Sequence, residues 1–259
     1  MTDTYRSVVK ILRNYRRDLD SIPDLVPFIK LAEKSPSSSS ESSSILSDPP
    51  FEATVISPDH SPITLYLGNV SDAMYPAALK ERNIVAILNV AGRQCRDVQR
   101  MEKIAGNESP ETTSQWERIE FNQYWYSKQL SKDSFKYLQV DAEDHSRYKI
   151  SDDFEVCIEF LNHVEMTCVD TERKPGVLVH CMQGLNRSGA VAGAWLVHRW
   201  NMTLSEAVTS IATRRKGILT NRSFVRQLVD WSSPDEIVPD RVITPPKVVH
   251  IGNIVERSV

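Results

Sequence analysis

Val177-Leu178-Val179-His180-Cys181-Met182-Gln183-Gly184-Leu185-Asn186-Arg187-Ser188-Gly189 is the stretch on which the reading of this chain turns. The run Val177–His180, opened by Gly176, is short, apolar and rich in branched residues, the composition of a strand buried on both faces. Ser188 to Trp200 is rich in small residues and reads as a helix starting near Arg187. A tight loop joins the two. In open α/β sheets ligands bind at the carboxyl ends of strands. A loop running into a helix N-terminus aims several backbone N–H groups at one spot and makes an anion site.

Cys181 opens that loop, where backbone donors, the helix dipole and Arg187 all favour a thiolate over a thiol. A thiolate is a strong nucleophile at neutral pH. Arg187 can grip two phosphoryl oxygens at once, which a lysine cannot match. Gly184 supplies a residue that accepts positive φ and close approach by a ligand. The Ser188 hydroxyl is placed to hydrogen-bond the sulfur, and His180 is expected to orient the loop instead of reacting. Met182, Gln183, Leu185 and Asn186 complete the expected phosphate-binding loop. Cys and Arg at this spacing are common by chance; His before the Cys, Gly three after and Ser seven after make the pattern far more specific.

Outward from this stretch, strands alternate with helices. The segments 53–57, 63–70, 84–90 and 135–140 read as strands, and 72–82, 151–169, 204–213 and 221–231 as helices. Ser151 reads as an N-cap before Asp152 and Asp153. Phe154, Cys157, Ile158, Leu161, Val164 and Cys168 share one helix face, so Cys157 and Cys168 read as core. The alternation predicts an α/β fold with a mostly parallel central sheet flanked by helices. The expected division is an N-terminal helical extension over 1–34, a Ser-rich disordered linker over 35–52, a catalytic domain over 53–232 with an insertion at about 93–133, and a tail over 233–259.

The 259 residues carry a formal net charge of −3, which lacks the basic excess of a nucleic-acid binder. No apolar run approaches the roughly 18–20 residues of a membrane span, and the N-terminal residues do not read as a secretory signal. The four cysteines form no C-x-x-C pair, so neither a metal site nor a cofactor is expected, and a reducing compartment, cytosol or nucleus, is.

His180-Cys181-Met182-Gln183-Gly184-Leu185-Asn186-Arg187-Ser188 is similar to the H-C-x-x-G-x-x-R-S/T signature of protein tyrosine phosphatases. Residues 65–73, followed by 79–90, resemble the opening strand, helix and strand of the dual-specificity branch, and 214–221 with Phe224, Gln227 and Leu228 resembles the end of its domain. The resemblance covers roughly 53–231. It implies hydrolysis of phosphate monoesters on phosphoproteins (phosphotyrosine and phosphoserine/threonine) through a phosphocysteine, with a phosphorylated protein, a protein kinase among the candidates, as partner.

A positioned acid must protonate the leaving oxygen. The segment 140–145 offers Asp141, Glu143 and Asp144. The resemblance implies Asp144, the acid that falls between the strand and the long helix, with Asp141 as the alternative. It also implies a weaker candidate role for Cys95 as redox partner of Cys181, because some relatives carry a resolving cysteine in that region. Three other readings stand beside the phosphatase: a catalytically weak pseudophosphatase or scaffold, an RNA 5′-triphosphatase, favoured by Asn186-Arg187 but not by charge, and a lipid phosphatase, disfavoured by the absence of lysines in the loop. Arg6, Lys10, Arg13 and Arg17 lie along one face of the N-terminal helix and suit an acidic partner, although such a stripe is more often a solvated face.

Overall fold

A computed structural model describes residues 2–16, 51–74, 76–95, 97, 136–167 and 173–233. All but the first residue of the expected tail, residues 17–34 of the expected N-terminal extension, nearly all of the expected linker and most of the expected insertion lie outside these residues, as does Cys168.

Among the described residues five strands form one sheet: β1 (Thr54–Val55), β2 (Thr64–Gly68), β3 (Ile84–Asn89), β4 (Lys136–Gln139) and β5 (Gly176–His180), in the order β1-β2-β5-β3-β4. All neighbours run parallel except the edge strand β1. The predicted α/β fold with a mostly parallel central sheet is the fold observed. Every residue of β3 and β5 is buried, as their unbroken apolar runs require.

Side chains alternate across the sheet and feed two cores. Leu65, Leu67, Leu88, Val177 and Val179 enter the larger core, shared with α1 (Asp3–Arg16), α3 (Phe154–Thr167), α4 (Arg187–Trp200), α5 (Leu204–Arg214) and α6 (Arg222–Trp231). Ile87, Tyr137 and Leu178 enter a smaller one with Leu79 of α2 (Pro76–Glu81), Met74 of the 3₁₀ turn Asp72–Met74, Cys95 and Cys181. Helix α1 packs on α5 and α6, and its Tyr5, Val8 and Leu12 belong to the larger core. Their three- and four-residue spacing is the apolar stripe that the sequence shows.

Ser151 is not the N-cap of α3. It lies in a 3₁₀ turn, Ile150–Asp153, that leads into the helix, and its N–H donates to Gln227 Oε1 on α6 at 3.1 Å. Helix α5 instead starts with a capping box between Thr203 and Glu206, and α6 with Asn221 as N-cap.

Candidate active site

Gly68, Asn89 and His180 pair side by side at the ends of β2, β3 and β5. At that edge β5 gives way to Cys181 and the chain turns through residues 182–186 into α4. Gly184 makes the turn with φ +68, and a Cβ there would stand 2.4 Å from the Gly68 carbonyl oxygen, so only glycine fits. The turn aims donors at the sulfur: the Gly184 N–H reaches Cys181 Sγ at 3.2 Å and the Ser188 hydroxyl at 3.3 Å. Burial pushes the Cys181 thiol up. The Arg187 guanidinium, the Ser188 hydroxyl and the Ser188 and Leu185 amides outweigh it and hold the pKa below that of an ordinary cysteine.

Arg187 is buried, and its two terminal nitrogens are tethered, Nη1 to the Ala142 carbonyl at 3.1 Å and Nη2 to Gln94 Oε1 at 2.8 Å. Its Nε has no partner among the described residues. His180 is fully buried beneath the loop. Its Nδ1 lies 3.4 Å from the Cys181 carbonyl oxygen, to which only a protonated Nδ1 can donate. Burial lowers the His180 pKa to about 4, helped by Arg187 and opposed by that hydrogen bond, so the ring is neutral at pH 7.

Behind the loop, Arg215 Nε donates to the Gly184 carbonyl at 2.8 Å and Nη1 to the Glu52 carbonyl at 3.1 Å. Asp72 collects the N–H groups of Glu52, Ala53 and Asn69 at 2.6, 3.0 and 2.8 Å. Burial raises the Asp72 carboxyl pKa against the pull of those amides and of Arg215. Together they tie the loop to the chain entering β1.

The three candidate acids are held differently. Asp144, exposed, accepts from Asn186 Nδ2 at 3.1 Å and Asn221 Nδ2 at 3.0 Å, so it is joined to the loop. Glu143 accepts from His145 Nε2 at 2.8 Å and Arg93 Nη1 at 3.2 Å, and the His145 bond foremost lowers its pKa. Asp141 accepts from Gln139 Nε2 at 3.3 Å. Cys95 is buried in the smaller core with Cys181, its Sγ 3.6 Å from Met182 Sδ.

Gln94, Asp72 and the contact of Asn221 with Asp144 were not foreseen from sequence. Arg215 and Asn221 fall in the segment that resembles the family's domain end, so a signal existed there. Gln94 meets Arg187 across 93 positions and carried no local signal.

This is the fold and loop geometry of a cysteine-dependent phosphatase. The family description "Dual specificity phosphatase, catalytic domain" matches residues 65–234, and the chain belongs to that family. Among curated relatives, human dual specificity protein phosphatase 7 is 32% identical over 97 residues, covering 38% of this chain and 22% of its own. Drosophila melanogaster dual specificity protein phosphatase Mpk3 is 26% identical over 178 residues, covering 69% of this chain and 34% of its own. The chain thus spans between about a fifth and a third of the length of these relatives. Among solved structures, the human tyrosine phosphatase-like serine/threonine/tyrosine-interacting protein aligns with a TM-score of 0.48 and 24% identity, over 70% of this chain and 96% of that one.

Proposed function

We propose that the protein hydrolyses phosphate monoesters on phosphoproteins through a phosphocysteine. The observation that carries this reading is the convergence of the Gly184 N–H, the Ser188 hydroxyl and the Arg187 charge on the Cys181 sulfur. The Cys181 thiolate attacks phosphorus in line, forming the S–P bond as the P–O bond to the leaving group breaks. Arg187 and the loop amides stabilise charge on the equatorial oxygens. Asp144 gives its proton to the departing oxygen. It then takes one from a water that attacks the phosphocysteine, and the S–P bond breaks to release phosphate. Ser188 stabilises the departing thiolate, and His180, neutral beneath the loop, orients it.

The catalytic domain runs over 53–232, with helix α1 packed against it. The variable loop positions Met182, Gln183, Leu185 and Asn186 carry no charge, which suits a phosphoprotein better than a polyanionic lipid head. Phosphotyrosine and phosphoserine/threonine are both substrates in this reading. The nucleophile must stay reduced, which points to cytosol or nucleus. Phosphate release from a phosphopeptide panel, measured with wild type and Cys181→Ser, tests the proposal. Turnover is expected in wild type alone, with phosphopeptide binding retained in the variant. Equal turnover in both refutes the chemistry, and binding without turnover in wild type favours a scaffold.

A further inference from the structure

Asp144 sits on an exposed loop, yet both of its carboxylate oxygens are engaged, each by a different carboxamide. Asn186 Nδ2 donates to Oδ2 at 3.1 Å and Asn221 Nδ2 donates to Oδ1 at 3.0 Å. The orientation of both amides is forced. Asn186 Oδ1 accepts the Asn221 backbone N–H at 3.0 Å, together with the Thr220 hydroxyl at 3.0 Å. Asn221 Oδ1 accepts the Ser223 N–H at 3.1 Å as the N-cap of α6. A backbone N–H can only donate, so each amide must turn its NH₂ end toward Asp144. Leu219, at φ +53, turns the chain just before Thr220 and Asn221.

We infer that Asn186 and Asn221 are positioning residues that bracket Asp144 and key the acid to the phosphate loop. The inference rests on the reading of Asp144 as the general acid. Asn186 lies between Leu185 and Arg187, inside the loop that grips the phosphoryl group. The distance from acid to leaving oxygen is therefore set by the same backbone that sets the distance from sulfur to phosphorus. Without the bracket, an exposed aspartate would spread over several rotamers, and a misplacement of about 1 Å can cost on the order of 100-fold in rate. Once the proton has left, the two amides face a carboxylate, and such charge-assisted bonds are stronger than neutral ones. Glu143, by contrast, is held by His145 and Arg93.

The test compares a phosphoserine peptide, whose alkoxide leaves poorly, with para-nitrophenyl phosphate, whose phenoxide leaves well. The proteins are wild type, Asp144→Ala, Asn186→Ala, Asn221→Ser and the double variant Asp144→Ala/Asn186→Ala. Serine at 221 keeps a helix cap. The loss of kcat in Asn186→Ala and Asn221→Ser should be at least about tenfold larger on the peptide than on the aryl ester, a share of the roughly 100-fold or more that an acid contributes. A partly unfolded sample lowers both substrates alike, so the ratio survives poor folding. On the peptide the double variant should be no slower than Asp144→Ala, because a bracket without its acid does nothing. Equal losses on the two substrates, or a further loss in the double variant, overturn the inference while Asp144 stands. If Asp144→Ala itself loses equally on both substrates, the acid assignment falls and the bracket with it.

Discussion

Gln94 Oε1 accepts a hydrogen bond from Arg187 Nη2 at 2.8 Å, while the Ala142 carbonyl takes Nη1 at 3.1 Å. The buried guanidinium is thus fixed from two segments that are remote in sequence. A preset clamp loses less conformational freedom when it takes up phosphate.

Gln94→Ala removes one of these tethers. A hydrogen bond to a charged group is worth about 1.5–3 kcal/mol, so phosphate should inhibit the variant roughly tenfold more weakly. Competitive inhibition by inorganic phosphate measures this. Inhibition as strong as in wild type would show that Gln94 merely lies beside the arginine.

His180 gives the fold a pH dependence. Its folded pKa, about 4, is below the ordinary histidine value, so between about pH 6.5 and 4 the unfolded chain binds the extra proton. Its contribution is complete above pH 6.5 and is lost as pH falls through that window, by roughly 3 kcal/mol at most. Urea unfolding at pH 7 and pH 4.5 should show this loss, reduced in His180→Gln. An equal loss in the variant would assign it to other groups.

Helix α1 belongs to the larger core through Tyr5, Val8 and Leu12. Leu12→Ala should destabilise the protein by about 2 kcal/mol or more. Turnover per folded molecule should be unaltered, because α1 packs on α5 and α6, which lie outside the phosphate loop. A ΔΔG near zero would show that α1 is not docked in solution.

Cys95 and Cys181 share the smaller core, so the Cys95 thiol is the candidate to trap an oxidised Cys181. Peroxide would take two electrons and two protons from the pair, leaving a disulfide and two waters. Non-reducing mass mapping after peroxide should find a Cys95–Cys181 peptide, and activity should return with a thiol reductant. Irreversible loss with no linked peptide removes Cys95 from the account.

The parts of the fold legible in the sequence are those set by local pattern. The strand Val177–His180 announced itself by an unbroken apolar run, and α1 by its three- and four-residue stripe. Cys181, Gly184, Arg187 and Ser188 were legible because the loop from Cys181 into α4 needs each type at its own place. What escaped depends on contacts distant in sequence. The N–H of Ser151 is taken by Gln227, 76 residues away, so a residue with every local mark of an N-cap sits inside a 3₁₀ turn. Asp72 resembles any helix-start acid, yet it closes hydrogen bonds to residues 52 and 53. The bracket on Asp144 needs three segments at once.

Ionisation of Cys181 at neutral pH is the claim on which the chemistry depends. The ultraviolet absorbance of its thiolate, wild type minus Cys181→Ser, followed against pH, measures it directly. The titration should have its midpoint clearly below that of an ordinary cysteine and move upward in Ser188→Ala. A midpoint at or above the ordinary value, unmoved by the serine, would contradict the account.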